Sequence, residues 1–395
     1  MSTQVLVLGG GYAGVMAANR LAGADGVAVT LVNPRPRFVE RLRLHQLASG
    51  TGDALHEYAQ VLAPSVRVVV DEATRIDAAR ARVVLAGGDE LAYDRLVYAV
   101  GSSHAADGGV PGVAEHALPV STVEAATRLR AALGAAPGAP VVVVGGGPTG
   151  IETAAELAET GRDVTLVCGG VLAPSFHPRG RRSLARQLAR LGVTVLEGSR
   201  VTRVREGSAV LEDGRELAGI TVWAIGFRVS DLASRSGLTT DREGRLVTDE
   251  TLTSVDDERI VGAGDAVAPS GVPLRASCQA ALPLALRAAE TVLARLEGRA
   301  PEPLDNRFFG QCVSLGRRAG TFQVAHADDT ALGLFVPGRA GALLKEEVTR
   351  QVMQSLVHEA QRAGSVRFPS SSARARVLAR AQRVTAAEAH AKVVA

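Results

Sequence analysis

The residues best suited to chemistry in this sequence are two triplets of glycine. Gly9, Gly11 and Gly14 fall in VLVLGGGYAGVMAA from Val5, and Gly145, Gly147 and Gly150 fall in VVVVGGGPTGIETAAELA from Val141. Each triplet is in G-x-G-x-x-G register between a β-branched apolar run and a helix-like segment. Glycine there lets backbone approach a pyrophosphate at a helix N-terminus, where unpaired N–H groups and the helix dipole attract anions. One such match is a weak signal. Two in strand–turn–helix context imply that each half holds its own dinucleotide, with Tyr12 and Ala13 inside the first turn. Two dinucleotides on one chain imply electrons passing between them, and a nicotinamide and a flavin form the obvious pair.

Further candidates sit at the ends of apolar runs. Asn33 stands where the fingerprint wants a carboxylate for the ribose hydroxyls. Its side chain can accept one such bond, or it can simply serve a strand-end turn before Pro34. Arg43 reaches a phosphate oxygen or is a solvated helix face. Cys168 holds the equivalent position in the second half, and a thiol neither accepts two hydroxyls nor repels a 2′-phosphate. Arg179, Arg181 and Arg182 follow it, either as partners for that phosphate or as a basic helix surface. LVYAVG closes at Gly101 and TVWAIG closes at Gly226. RIVGAGD ends on Gly264 and Asp265, where an acidic group can accept bonds from hydroxyls or cap the following segment. His45, His104 and His177 show no metal-ligand spacing and read as polar loop or surface residues. Lys345, isolated in GALLKEE, reads as an exposed helical lysine. No metal site is expected.

Positioning these groups requires a repeated scaffold. In each half a glycine turn opens a helix, and a second strand follows about 20 residues later. A hairpin with a D-G or G-D turn comes next, and an apolar strand ending in Gly closes the unit. The expected fold is α/β, with two Rossmann-like dinucleotide-binding domains and a small C-terminal α+β region. Residues 1–115 and 251–300 form the first nucleotide domain, 116–250 the second, and 301–395 the C-terminal region. The segment from Phe38 to Gly50 reads as a helix or a loop over the cofactor. Ser121 with Glu124 three residues on reads as a capping box for a helix to Leu133. A helix is expected from Ala276 to Leu296. Another spans about Leu343 to Ala363, and a tail helix of modest amphipathicity, with Val377, Leu378, Ala381 and Val384 on its apolar side, runs from Arg374.

The bulk numbers exclude several classes. The chain has 395 residues, 46% of them hydrophobic and only 3% aromatic, so it can build two or three cores from Ala, Val and Leu. A net charge of +3 without a clustered basic face argues against nucleic-acid binding. The three cysteines Cys168, Cys278 and Cys312 form no close pair in sequence, which argues against a dithiol relay or zinc knuckle and fits a reducing cytoplasm. The first strand begins at about Gln4, leaving no room for a signal peptide. No run of about 20 apolar residues is present to span a membrane.

The quoted motifs resemble, in their order, the two-dinucleotide-binding-domain flavoproteins, the pyridine nucleotide-disulfide oxidoreductase superfamily with its glutathione-reductase-like fold. Within it the chain is most similar to type II NADH dehydrogenases and apoptosis-inducing-factor-like flavoproteins. The resemblance covers roughly residues 4–296 and, more weakly, SLGRRAGTFQ through GRAGALLKEE. It implies FAD on the first unit, with Asp265 at the ribityl chain and the helix from Ala276 near the flavin ring. It also implies NADH or NADPH on the second unit. Glu152 would face the nicotinamide–flavin contact, with helix capping as the alternative. Gln279 would touch the flavin edge or a substrate carbonyl, or satisfy local backbone. Quinone-reducing relatives carry a second Gln four residues on; here that position is Pro283, a departure from the usual quinone pocket. The implied activity is hydride transfer from NAD(P)H to flavin N5, then electron transfer to a quinone-like acceptor. A ferredoxin-type reductase and a slow redox-sensing or interaction flavoprotein stay open. So do oligomerisation and peripheral contact with the inner membrane face.

Overall fold

The computed structural model describes residues 2–103, 109–226 and 228–394, and His104 and Phe227 lie outside them. The two valine-rich runs become central strands. Thr3–Leu8 lies between Val27–Asn33 and Arg95–Tyr98 in a five-stranded parallel sheet that ends on Arg67–Val70 and Ile260–Gly262. Val141–Val144 lies between Val164–Val167 and Ile220–Trp223 in a second such sheet, flanked by Thr194–Leu196 and Leu118–Pro119. All four residues of Val141–Val144 are buried, as a strand covered on both faces requires.

The repeat extends to the insertions. Ala73–Asp77, Arg82–Leu85 and Glu90–Ala92 form a three-stranded antiparallel sheet in the first half, and Val201–Arg205, Ser208–Leu211 and Glu216–Ala218 form its counterpart in the second. The short strands Ser102–Ser103 and Arg228–Val229 pair across the two halves.

Helices cover the sheets. Tyr12–Ala22 packs its face of Val15, Met16, Ala18 and Leu21 against the first sheet and against the long helix Cys278–Leu296. That long helix begins at Cys278, capped by the Ser277 hydroxyl accepting from the Ala280 N–H, so Ala276 precedes it. The helix expected from Ser121 spans Val123–Ala135, and its cap is Thr122, whose hydroxyl accepts from the Ala125 N–H. With the helix displaced, Glu124 closes no capping box; it forms a two-bond ion pair with Arg35 at 2.7 and 2.9 Å. The segment Phe38–Gly50 splits into the strand Arg37–Val39, a 3₁₀ turn Arg41–Arg43 and the helix Leu44–Ser49.

The C-terminal region pairs three antiparallel strands, Gly310–Leu315, Ala319–Ala325 and Ala331–Pro337, with the helix Gly338–Gln361. A last helix, Ala373–Val394, is anchored at its start by buried Arg374, whose guanidinium donates to both carboxylate oxygens of Glu250. The Val384 side chain lies outside the described residues. No helix of the described residues is long and apolar enough to cross a membrane.

Candidate active site

The two glycine turns have one geometry. Gly9 is held at φ +101° and Gly145 at φ +133°, a region that side chains rarely enter. A Cβ on Gly14 would strike the Gly9 carbonyl, and one on Gly150 would strike the Gly145 carbonyl. Gly11 and Gly147 differ: a Cβ on either would meet nothing within 4 Å. The outer glycines therefore let helix and strand close together, while the middle one faces open space. Gly11 and Gly147 are also the N-caps of their helices and supply no side-chain acceptor, so the first N–H groups await an outside partner. Both cradles fit a pyrophosphate.

A groove of about 520 Å³ runs from the first turn and is lined by Gly9, Gly11, Asn33, Arg35, Arg41, Gly101 and Ser121 among others. The Asn33 side chain braces the turn itself: Oδ1 accepts from the Gly10 N–H at 2.9 Å and Nδ2 donates to the Arg35 carbonyl at 2.9 Å. Tyr58 donates its hydroxyl to the Gly10 carbonyl at 3.1 Å. Arg43 does not line the groove. Its guanidinium is taken by Glu40 at 2.9 Å and Glu346 at 2.5 Å, and the cations that line the groove are Arg35, Arg37 and Arg41. Arg41 donates to the Ser102 carbonyl at 2.8 Å, and the Ser102 hydroxyl donates to Asp265 at 2.7 Å. Gly264, at φ +75°, brings its backbone against Ala13. Tyr12 is buried edge-on to Phe38, with its hydroxyl unpartnered.

Arg41 and Ser121 also line a second cavity of about 610 Å³, so groove and cavity adjoin. This cavity receives Pro148, Thr149 and Glu152 from the helix Pro148–Glu159 that follows the second glycine turn (the second turn helix), Cys278, Gln279 and Pro283 from the long helix, and Ala276 from just before it. It also receives His45, Cys312 and Lys345. Glu152 is 7% exposed and is bonded by the Lys345 ammonium at 2.9 Å and the Ser314 N–H at 3.0 Å. Burial opposes its charge, but Lys345 and His45 outweigh that and hold the carboxyl below its ordinary range. The Lys345 ammonium is likewise raised: burial works against it and the Glu152 carboxylate prevails. Two expectations are corrected here. Lys345 is not an exposed helical lysine, and His45, 4% exposed, is not a surface residue. Glu152 explains both, since a buried carboxylate is retained only where cations and donors meet it.

Gln279 lines the cavity, and its Oε1 is buried without a hydrogen-bond partner. One turn on, Pro283 has no N–H to give to the Gln279 carbonyl, which frees a further acceptor there. Cys278 and Cys312, distant in sequence, line this same cavity, and burial pushes the Cys278 thiol up to about 11, so it stays protonated at neutral pH. Cys168 is 1% exposed and packs beneath Gly146, with its thiol pushed up to about 12 by burial and then by Glu197. It therefore turns away from any ligand at the strand end. Gly226, at φ +97°, lies three residues past the end of the neighbouring strand Ile220–Trp223. His177 caps the helix Pro178–Arg190, which carries Arg179, Arg181 and Arg182. Among the described residues no cluster is suited to a metal ion.

The chain is similar to known proteins in sequence and in fold. The family model described as pyridine nucleotide-disulphide oxidoreductase matches residues 3–290. An NADH dehydrogenase-like protein of Mycobacterium tuberculosis strain H37Rv is 34% identical over 295 residues, covering 67% of this chain and 73% of its own. A type II NADH:quinone oxidoreductase of Staphylococcus haemolyticus is 28% identical over 393 residues, covering 89% and 95%. The structure of NDH2 from Plasmodium falciparum in complex with NADH superposes with a TM-score of 0.76 at 16% identity, covering 93% of this chain and 99% of that one. With the paired glycine cradles and the carboxylate cavity between them, these matches place the chain in the pyridine nucleotide-disulphide oxidoreductase family, as an NADH dehydrogenase-like flavoprotein oxidoreductase.

Proposed function

We propose that the protein is an FAD-dependent NAD(P)H:quinone oxidoreductase. A bound flavin would accept the hydride of NAD(P)H and yield its two electrons to the acceptor. The chain supplies alignment and charge. The N–H groups behind Gly11 receive the FAD pyrophosphate, and Asp265, steadied by Ser102, accepts from the ribityl hydroxyls. The turn at Gly147 would hold the NAD(P)H pyrophosphate, with Thr149 and Glu152 of the same helix as the residues that would meet the nicotinamide. Glu152 is held by Lys345 and Ser314, so it orients the carboxamide without its own rotamer freedom. Gln279, on the cavity wall, would meet the flavin edge.

The observation that carries this reading is that the first glycine groove and the cavity that holds Glu152 adjoin, sharing Arg41 and Ser121 as walls. A quinone suits that cavity because part of its lining is apolar, with buried Leu282 and Val352 and the exposed rings of Phe309 and Phe368. The test is to purify the protein, identify the cofactor released on denaturation, and assay NADH and NADPH against water-soluble quinones and a ferredoxin. FAD in the released fraction and rapid quinone reduction support the proposal. Ferredoxin reduction without quinone reduction replaces the acceptor.

A further inference from the structure

Four segments meet at one buried point beside the cavity: His45 on the helix Leu44–Ser49, Glu152 on the second turn helix, Ser314 on the strand Gly310–Leu315, and Lys345 on the helix Gly338–Gln361. Glu152 and Lys345 form a closed ion pair. His45 is held more loosely. Its Nδ1 is 4.0 Å from Glu152 Oε2 and its Nε2 is 3.5 Å from the Ser314 hydroxyl, which in turn lies 3.3 Å from Glu152 Oε1. A buried histidine with a purely structural role has firm partners on its ring nitrogens. Here the ring is buried, loosely held and on the cavity wall.

The proposed reaction needs such a group. A quinone takes up two electrons and two protons to become a quinol, and the hydride of NAD(P)H brings the electrons with a single proton. We infer that His45 delivers the second proton: its imidazolium N–H bond breaks as an O–H bond forms on the acceptor oxygen, and solvent recharges the neutral ring through the cavity mouth. This rests on the quinone reading. The ion pair is ill suited to the part: Glu152, ionised, has no proton to give, and the Glu152 carboxylate raises the Lys345 ammonium and makes it a poor donor. The charged groups facing His45 are Glu152 and Glu156 from the second turn helix, Lys345, and Arg317 from the hairpin turn. Burial, with the two cations, outweighs the carboxylates and lowers the imidazole below 6.5.

The test combines pH profiles with histidine ¹⁵N NMR. In the wild-type protein kcat for a water-soluble quinone rises as pH falls from about 8 to about 6. His45→Gln flattens that slope and lowers kcat by about a hundredfold, with a much smaller change in KM. In His45→Ala, added imidazole restores part of the rate. The His45 ring resonances titrate below 6.5, and Glu152→Gln moves that titration lower still. A wild-type slope retained in His45→Gln, no rescue by imidazole, or a titration unmoved by Glu152→Gln would overturn the assignment. If wild-type protein is reduced by NAD(P)H but reduces no quinone, the acceptor reading fails, and His45 as proton donor to it fails too. A titration that Glu152→Gln still moves then shows that the electrostatic coupling stands without that role.

Discussion

Lys345 Nζ lies 2.9 Å from Glu152 Oε1, joining the helix Gly338–Gln361 to the second nucleotide unit through a pair that is almost wholly buried. Breaking one half of such a pair strands the other charge. Lys345→Met should destabilise the protein by about 3–5 kcal/mol, and Glu152→Gln on top of it should recover much of the loss. Thermal unfolding of both variants measures this.

The same cluster sets an acid limit. The Glu152 carboxyl is depressed in the folded state, so its contribution is fully present above its unfolded value of 4.5 and lost as pH falls toward its folded value. The His45 imidazole is also depressed, so the unfolded chain binds its proton first and stability declines as pH drops below 6.5. Thermal midpoints should therefore fall in two stages on acidification. His45→Gln should remove the upper stage, and Glu152→Gln should blunt the lower one.

Middle and outer glycines should separate by phenotype. Gly14→Val drives a side chain into the Gly9 carbonyl and should cost both folding and flavin. Gly11→Val enters open space, so its thermal midpoint should stay close to wild type while flavin affinity falls at least about tenfold. Fluorescence titration of stripped protein with FAD gives the affinity.

The second unit lacks a ribose carboxylate at its strand end, since Cys168 is turned beneath Gly146. Without that group to repel a 2′-phosphate, kcat/KM for NADPH should lie within about tenfold of that for NADH. Steady-state kinetics with both nucleotides decides this, and a strong NADH preference would refute it.

Much of this architecture was legible in the residues. The glycine triplets, the hairpin insertions and the apolar strands follow local rules of spacing and turn chemistry, though those strands end at Tyr98 and Trp223, three residues short of Gly101 and Gly226. Local rules also fixed the helix after Pro119 to within two residues, and the choice of Thr122 over Ser121 as cap depended on where the chain leaves the sheet. The strand Ala331–Pro337 was missed because ALGLFVP is partly exposed along most of its length and shows no clean alternation. The ion-pair cluster was illegible for a different reason. His45, Glu152, Ser314 and Lys345 belong to separate segments, and each looks unremarkable until tertiary packing brings it to the others. Two lysines in 395 residues, one of them inside an apolar-flanked GALLKEE, were the available hint.

The most direct measurement is the visible spectrum of the purified protein during rapid mixing, first with NADH or NADPH and then with a quinone. The account predicts a yellow, flavin-like band that bleaches within seconds of nucleotide addition and returns when the quinone is added. Well-folded protein that is colourless and takes up no FAD, or a flavin band that neither nucleotide bleaches, would contradict it.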